Sequence, residues 1–131
     1  MRDGDSIHIT PSHGRRVVIR LAAIDAPELA QRFGVESRDH LRALVLHRLA
    51  EARCHKADKY NREVCTVFIG DKDINLLMLQ AGLAWYYVAY QQEQSARDRR
   101  RYTDTQATAR KRRTGLWAGS AEAPWDFRRR N

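Results

Sequence analysis

The sequence predicts an α+β domain: a small antiparallel barrel of short strands with three helices packed against it. Three observations predict it. Short β-branched, apolar segments recur on both sides of one strongly periodic helical stretch. Two further helical stretches follow toward the C-terminus, and turn residues separate successive segments. The length of 131 residues fits a single compact domain with one core.

Ser6-Ile7-His8-Ile9-Thr10 alternates polar and apolar, the pattern of a half-buried strand. Pro11-Ser12-His13-Gly14 is turn chemistry, and Arg15 to Ile24 returns as a second strand. Asp25-Ala26-Pro27-Glu28 ends it, because Pro27 removes an amide donor and pushes Ala26 out of helical geometry. A helix is predicted over residues 36–50, with Leu41, Leu44, Val45 and Leu49 on one face and Arg38, Asp39, Arg42 and His47 on the other. Residues 52–57 form a weak strand, Asp58-Lys59-Tyr60-Asn61 a turn, and Glu63 to Ile69 a stronger strand. A short helix is predicted over 75–81, capped by Asn75 and stopped by Gly82. Residues 83–90 are aromatic and read as extended. Ser95 opens a third helix, with Asp98 three residues on, which runs to about residue 113 before Gly115 stops it. The domain is assigned to residues 1–118, and 119–131 is read as a basic tail. A five-stranded barrel of the OB type fits this order and is a common nucleic-acid binder.

Composition narrows the function. Lys and Arg number 24 against 16 acids, a formal charge of +8, and most of the excess is Arg, which grips phosphate as a bidentate fork. A polyanionic partner is implied. No apolar run is long enough to span a membrane, and Met1 is followed at once by Arg2-Asp3-Gly4-Asp5 rather than by a signal peptide. The two cysteines, Cys54 and Cys65, flank the Asp58–Arg62 turn: on paired strands they would face each other as a disulfide, and two small buried thiols fit equally well. The five histidines form no tight metal-binding pair. The runs at Arg99–Arg101, Arg110–Arg113 and Arg128–Arg130 read as solvated faces or as phosphate contacts.

Three clusters carry chemistry. Asp3-Gly4-Asp5 precedes a strand, where an ordinary turn has the same letters. Arg20 and the pair Asp25 and Glu28 bracket a strand end and a proline turn, placing carboxylates suited to a hard cation beside a guanidinium. Asp58-Lys59-Tyr60-Asn61-Arg62 puts a second arginine at a hairpin tip. Hydrolysis of a phosphodiester requires a metal or base to activate water and cations to neutralise the phosphoryl oxygens, and these clusters together offer both.

The combination resembles the staphylococcal nuclease (thermonuclease) family. The residues that carry the resemblance are Asp3-Gly4-Asp5-Ser6, Arg20-Leu21, Ile24-Asp25-Ala26-Pro27-Glu28, Asp58-Lys59-Tyr60-Asn61-Arg62, Gly82-Leu83-Ala84-Trp85, Gly115-Leu116-Trp117 and Pro124-Trp125. They stand in family order over nearly the whole chain. The resemblance implies an OB-fold barrel with three helices and one Ca²⁺ ion. It implies Asp5, Asp25 and the Ala26 carbonyl as metal ligands, Glu28 as general base or water-positioner, and Arg20 and Arg62 as phosphate-binding arginines. Lys59, Tyr60 and a tyrosine after Trp85, either Tyr87 or Tyr90, match nucleotide-contacting positions. Ala26 replaces a threonine of the family, Asn61 a glycine at a turn that needs positive φ, Ser37 an alanine and Gln106 a glutamate.

The expected activity is therefore Ca²⁺-dependent cleavage of DNA and RNA, indifferent to the sugar and leaving 3′-phosphate ends, by a monomer. The resemblance favours a secreted or periplasmic setting. The rival reading is a noncatalytic OB-type module that binds nucleic acid or protein. Such modules typically lose the acids and arginines that this chain retains.

Overall fold

The computed structural model describes residues 3–11 and 14–131. Ser12 and His13 of the expected first turn lie outside the described residues, as do Met1 and Arg2. Strand β1 (Ser6–Ile9) pairs antiparallel with β2 (Val17–Leu21), setting Ile7 opposite Ile19 and Ser6 opposite Arg20. Two residues on, β3 (Ile24–Asp25) leaves that sheet. Helix α1 (Gly34–Val45) leads into β4 (Glu51–Ala57) and β5 (Glu63–Ile69), an antiparallel pair with Cys54 opposite Cys65. Then come β6 (Lys72–Asp73), α2 (Ile74–Gln80), β7 (Trp85–Tyr86), a 3₁₀ turn (Val88–Glu93), α3 (Ala96–Lys111), a second 3₁₀ turn (Gly115–Ala118) and α4 (Pro124–Arg130).

The α+β class predicted from the sequence holds, but the strand arrangement differs from the expected five-stranded antiparallel barrel. The main sheet runs β1-β2-β5-β4, with β6 also paired to β5, and β3 with β7 makes a separate two-stranded sheet. The path is open, and β2 lies parallel to β5 with Arg20 opposite Val64. Parallel strands need a long crossover, and α1 with β4 supplies it. The expected strand over residues 15–24 is broken at Ala22 and Ala23, where Ala23 takes φ 68°. There the Ala22 amide donates to the Cys65 carbonyl at 2.8 Å, and the Ala22 carbonyl accepts from Asn75 Nδ2 at 3.0 Å.

The helices shift too. Helix α1 ends at Val45, where Leu46 turns extended (φ −61°, ψ 128°) and His47 follows at φ 59°, and Leu49, expected on its apolar face, is 96% exposed. Leu41 alone of that predicted face is fully buried. The cap of α2 is Asp73, whose Oδ1 accepts the Leu76 amide at 3.0 Å, not Asn75. Asn75 is buried instead and accepts from the Val67 amide at 3.1 Å while donating to the Ala22 and Cys65 carbonyls. Ser95 caps α3 as expected, accepting the Asp98 amide at 3.1 Å. Only Trp85 and Tyr86 of the expected extended stretch 83–90 form a strand. Residues 119–131, expected to be a basic tail, carry a fourth helix: Pro124 opens it at a position where its missing N–H costs nothing.

The core gathers Ile7, Ile19, Leu21, Ile24 and Val67 from the strands with Leu41, Ile74, Met78, Leu79 and Tyr102 from the helices. Tyr102 is buried, and its hydroxyl donates to Asp73 Oδ2 at 2.7 Å, tying α3 to the start of α2. Cys54 and Cys65 form a disulfide across β4 and β5, which decides the alternative the sequence left open. Among the described residues no helix is long and apolar enough to cross a membrane.

Candidate active site

The site forms where the turn before β1, the end of β2 and strand β3 meet. Gly4 lets that turn approach α1 closely: a Cβ there would overlap the Ser37 side chain. The turn carries Asp5 inward, where its Oδ2 accepts the Ala26 amide at 2.7 Å. Asp25, on β3 opposite Trp85, is 1% exposed. Arg20 comes from β2, and its Nη2 stands 3.6 Å from Asp5 Oδ2 and 3.6 Å from Asp25 Oδ1. Its Nη1 donates to the Leu21 carbonyl at 2.5 Å, which holds the guanidinium between the two acids.

Glu28 joins this group through a residue not singled out from the sequence. Arg128 of α4 donates from Nη2 to Asp25 Oδ2 at 2.6 Å and from Nη1 to Asp25 Oδ1 at 3.2 Å. The same Nη1 donates to Glu28 Oε1 at 2.8 Å. Gln31 supports the arrangement: its Oε1 accepts the Glu28 amide at 3.1 Å, and its Nε2 donates to the Glu122 carbonyl ahead of α4. The sequence carried a signal for the helix, Pro124 at its first position, but none for the partner of Arg128, which sits in a run of three arginines. Asp3 of the Asp3-Gly4-Asp5 cluster, given no role of its own by the sequence, accepts the Asp5 amide on its Oδ1 at 3.2 Å and lines the same cleft.

That cleft has a volume of about 870 Å³, and Asp5, Arg20, Asp25, Glu28, Lys59, Tyr60, Arg62, Tyr87, Tyr90 and Arg128 line it. The hairpin between β4 and β5 forms one wall. Asn61 takes φ 61°, the positive φ expected of that turn. Arg62 pairs there with Asp58, Nε to Oδ2 at 2.8 Å, while Asp58 Oδ1 accepts the amides of Tyr60 and Arg62. Lys59 and Arg62 each lie over the Tyr60 ring, 5.2 and 5.4 Å from its centroid. Tyr87 and Tyr90 meet edge-on at 4.9 Å on another wall. Thus Asp5, Arg20, Asp25 and Glu28 form one connected group. Arg62, Lys59, Tyr60, Tyr87 and Tyr90 share its cleft without an ion pair or hydrogen bond to that group. The contact seen at Ala26 is its amide, held by Asp5.

Electrostatics follow from this crowding. Burial pushes Asp25 up to about 6. The Arg128 hydrogen bonds and the Arg20 charge pull it down, and the Asp5 charge pushes it up. Asp3 is pushed up to about 8, first by burial and then by Asp5. Asp58 resists a burial penalty of the same sign: the Arg62 amide and guanidinium and the Tyr60 amide hold it below the usual carboxylate range. Hydrogen bonds to Asp25 and Glu28 raise the Arg128 guanidinium, so it stays charged.

Among the described residues no three His, Cys, Asp or Glu groups close on a common point. The paired Asp5 and Asp25 carboxylates nevertheless fit a hard cation. Such an ion takes oxygen donors and completes its shell with backbone carbonyls, waters or phosphate oxygens.

The family model described as staphylococcal nuclease homologue matches residues 18–119. The chain belongs to that family. A probable endonuclease LCL3 from Verticillium alfalfae is 40% identical to it, over 89% of this chain and 45% of that protein. A staphylococcal-like nuclease CAN1 from Arabidopsis thaliana is 36% identical over 85% of this chain and 33% of that protein. A micrococcal nuclease from Shigella flexneri is 33% identical over 97% of this chain and 76% of its own length. The chain thus spans less than half of the first two relatives. The family segment includes Arg20, Asp25, Glu28 and Arg62, whereas Asp5 and Arg128 fall outside it.

Proposed function

We propose that this chain is a Ca²⁺-dependent endonuclease that hydrolyses phosphodiester bonds of DNA and RNA without regard to the sugar, leaves 3′-phosphate ends and acts as a monomer. The observation that carries the reading is the convergence of Asp5 and Asp25 on one Arg20 nitrogen, within the cleft that also holds Glu28 and Arg62. Family membership and the names of the relatives support it. On this reading the open mixed sheet is the wall of an OB-type barrel.

Asp5, Asp25 and the Ala26 carbonyl would hold the cation. When bound, Ca²⁺ supplies positive charge that polarises a phosphoryl oxygen and acidifies water. Glu28 accepts the proton of the attacking water or orients it. Arg20 and Arg62 neutralise the charge that grows on the phosphoryl and leaving oxygens. Lys59, Tyr60 and either Tyr87 or Tyr90 contact the nucleotide and a terminal phosphate. The net charge of +8 draws the polyanion to the cleft.

The experiment is incubation with single-stranded DNA and with RNA in Ca²⁺, then in a chelator. Cleavage in Ca²⁺ alone is expected, and Glu28→Gln should slow it by roughly 10²- to 10⁴-fold. Binding without cleavage under both conditions would instead favour a noncatalytic nucleic-acid-binding module.

A further inference from the structure

Arg128 occupies both oxygens of Asp25 and one of Glu28, although it stands 100 residues or more from either in sequence. A guanidinium on these acids does the electrostatic work of a bound cation: it offsets the repulsion among carboxylates gathered in a cleft. The same placement opposes a divalent ion. An ion coordinated by Asp25 meets oxygens already hydrogen-bonded to Arg128 and a like charge within a few ångströms of it.

Helix α4 does not depend on Arg128 for its seat. Trp125 stacks on Tyr87, with centroids 5.5 Å apart and planes 12° apart, and meets Trp85 edge-on at 5.4 Å. Pro124 is buried, and Gln31 binds the Glu122 carbonyl just ahead of the helix. The Arg128 side chain is 41% exposed, so it can leave the acids by rotation about its own bonds while α4 stays docked. Arg129 and Arg130, its neighbours, face elsewhere and pair with Asp126 and Glu122.

We propose that Arg128 is a built-in counter-cation of the acid centre: a positioning residue that holds Asp25 and Glu28 together in the cation-free protein and competes with a divalent cation for Asp25. The C-terminal helix thereby sets the cation concentration at which the site becomes competent. The proposal rests on the cation-dependent reading above.

The test is calorimetric titration of Ca²⁺ into the metal-stripped full chain without nucleic acid, for the unaltered protein, Arg128→Ala and Arg128→Lys. Arg128→Ala is expected to bind Ca²⁺ roughly tenfold more tightly, the equivalent of losing one charge-assisted contact. Arg128→Lys, which keeps the charge without the fork, should fall between the two. Should Arg128→Ala fold poorly, the arginine side-chain NMR signals of the unaltered protein provide a second readout. Ca²⁺ should move the Arg128 guanidinium signal to the position of a solvated arginine. Equal or weaker Ca²⁺ binding by Arg128→Ala, or an unmoved Arg128 signal at saturation, overturns the competition and leaves the nuclease reading intact. Absence of Ca²⁺ binding in all three proteins overturns both.

Discussion

The Asp5 carboxylate accepts the Ala26 amide at 2.7 Å across 21 residues of sequence, and it does so from a buried position. One oxygen thus fastens the chain start to the proline turn that follows Asp25. Asp5→Asn keeps an acceptor for that amide and removes the charge, whereas Asp5→Ala leaves a buried N–H unpaired. We expect Asp5→Asn to melt close to the unaltered protein while cleavage falls roughly 100-fold. Asp5→Ala should in addition lose about 1–3 kcal/mol of stability. Thermal melts beside DNA-cleavage rates separate the two effects.

Arg62 sits at a hairpin tip and pairs with Asp58, which keeps the amides of Tyr60 and Arg62 whichever side chain stands at 62. Arg62→Ala should therefore cost no more than about 1 kcal/mol of stability, as is usual for surface pairs. Its cleavage rate should drop by about 10²- to 10³-fold if the guanidinium meets the transition-state charge. Wild-type cleavage by this variant would remove Arg62 from the mechanism.

Tyr102 donates to the buried Asp73 carboxylate. Tyr102→Phe should destabilise the fold by about 1–3 kcal/mol at neutral pH, read by urea denaturation. The dependence on pH has a definite sign. Burial raises Asp73 in the folded state, the Tyr102 hydrogen bond pulls it back, and its loss would raise Asp73 further. A carboxyl raised on folding binds its proton more tightly in the folded state, so stability falls as pH climbs from the ordinary carboxylate range through the folded value. The gap between Tyr102→Phe and the unaltered protein should accordingly shrink on acidification.

The Cys54–Cys65 disulfide staples β4 to β5 over a sequence separation of 11. Reduction, or paired Cys→Ser substitution, should lower stability by about 2–3 kcal/mol without abolishing the fold, because Ile7, Ile19, Leu21, Leu41 and Met78 remain packed in the core that the buried Cys65 joins. Denaturation midpoints with and without a thiol reductant give the number. An unchanged midpoint would mean that the unfolded chain is already compact in this loop.

Local chemistry was legible wherever a residue's own neighbours decide its state. Ser95 caps α3, Asn61 takes the positive φ of its turn, and Glu63–Ile69 is a strand within its predicted bounds. The misreadings share one cause. Leu49 belongs to a helical pattern that His47 interrupts, and Asn75 has the letters of a cap but is drawn inside by three backbone partners, Val67 and Cys65 on β5 and Ala22 in the turn after β2. In each case a tertiary contact or a backbone turn outweighed a local preference.

By itself the sequence determined the α+β class, the grouping of acids and arginines at strand ends and turns, and the resemblance that ordered them. Periodicity and turn chemistry act over a few residues, and motif order can be read along a line. Only the tertiary structure decided that β2 runs parallel to β5, that the cysteines are joined, and that Arg128 rests on Asp25 and Glu28. Those are pairings between distant segments. Which arginine of Arg128–Arg130 reaches the acids depends on how α4 is seated by Trp125 against Tyr87 and Trp85, and no interval along the chain encodes that.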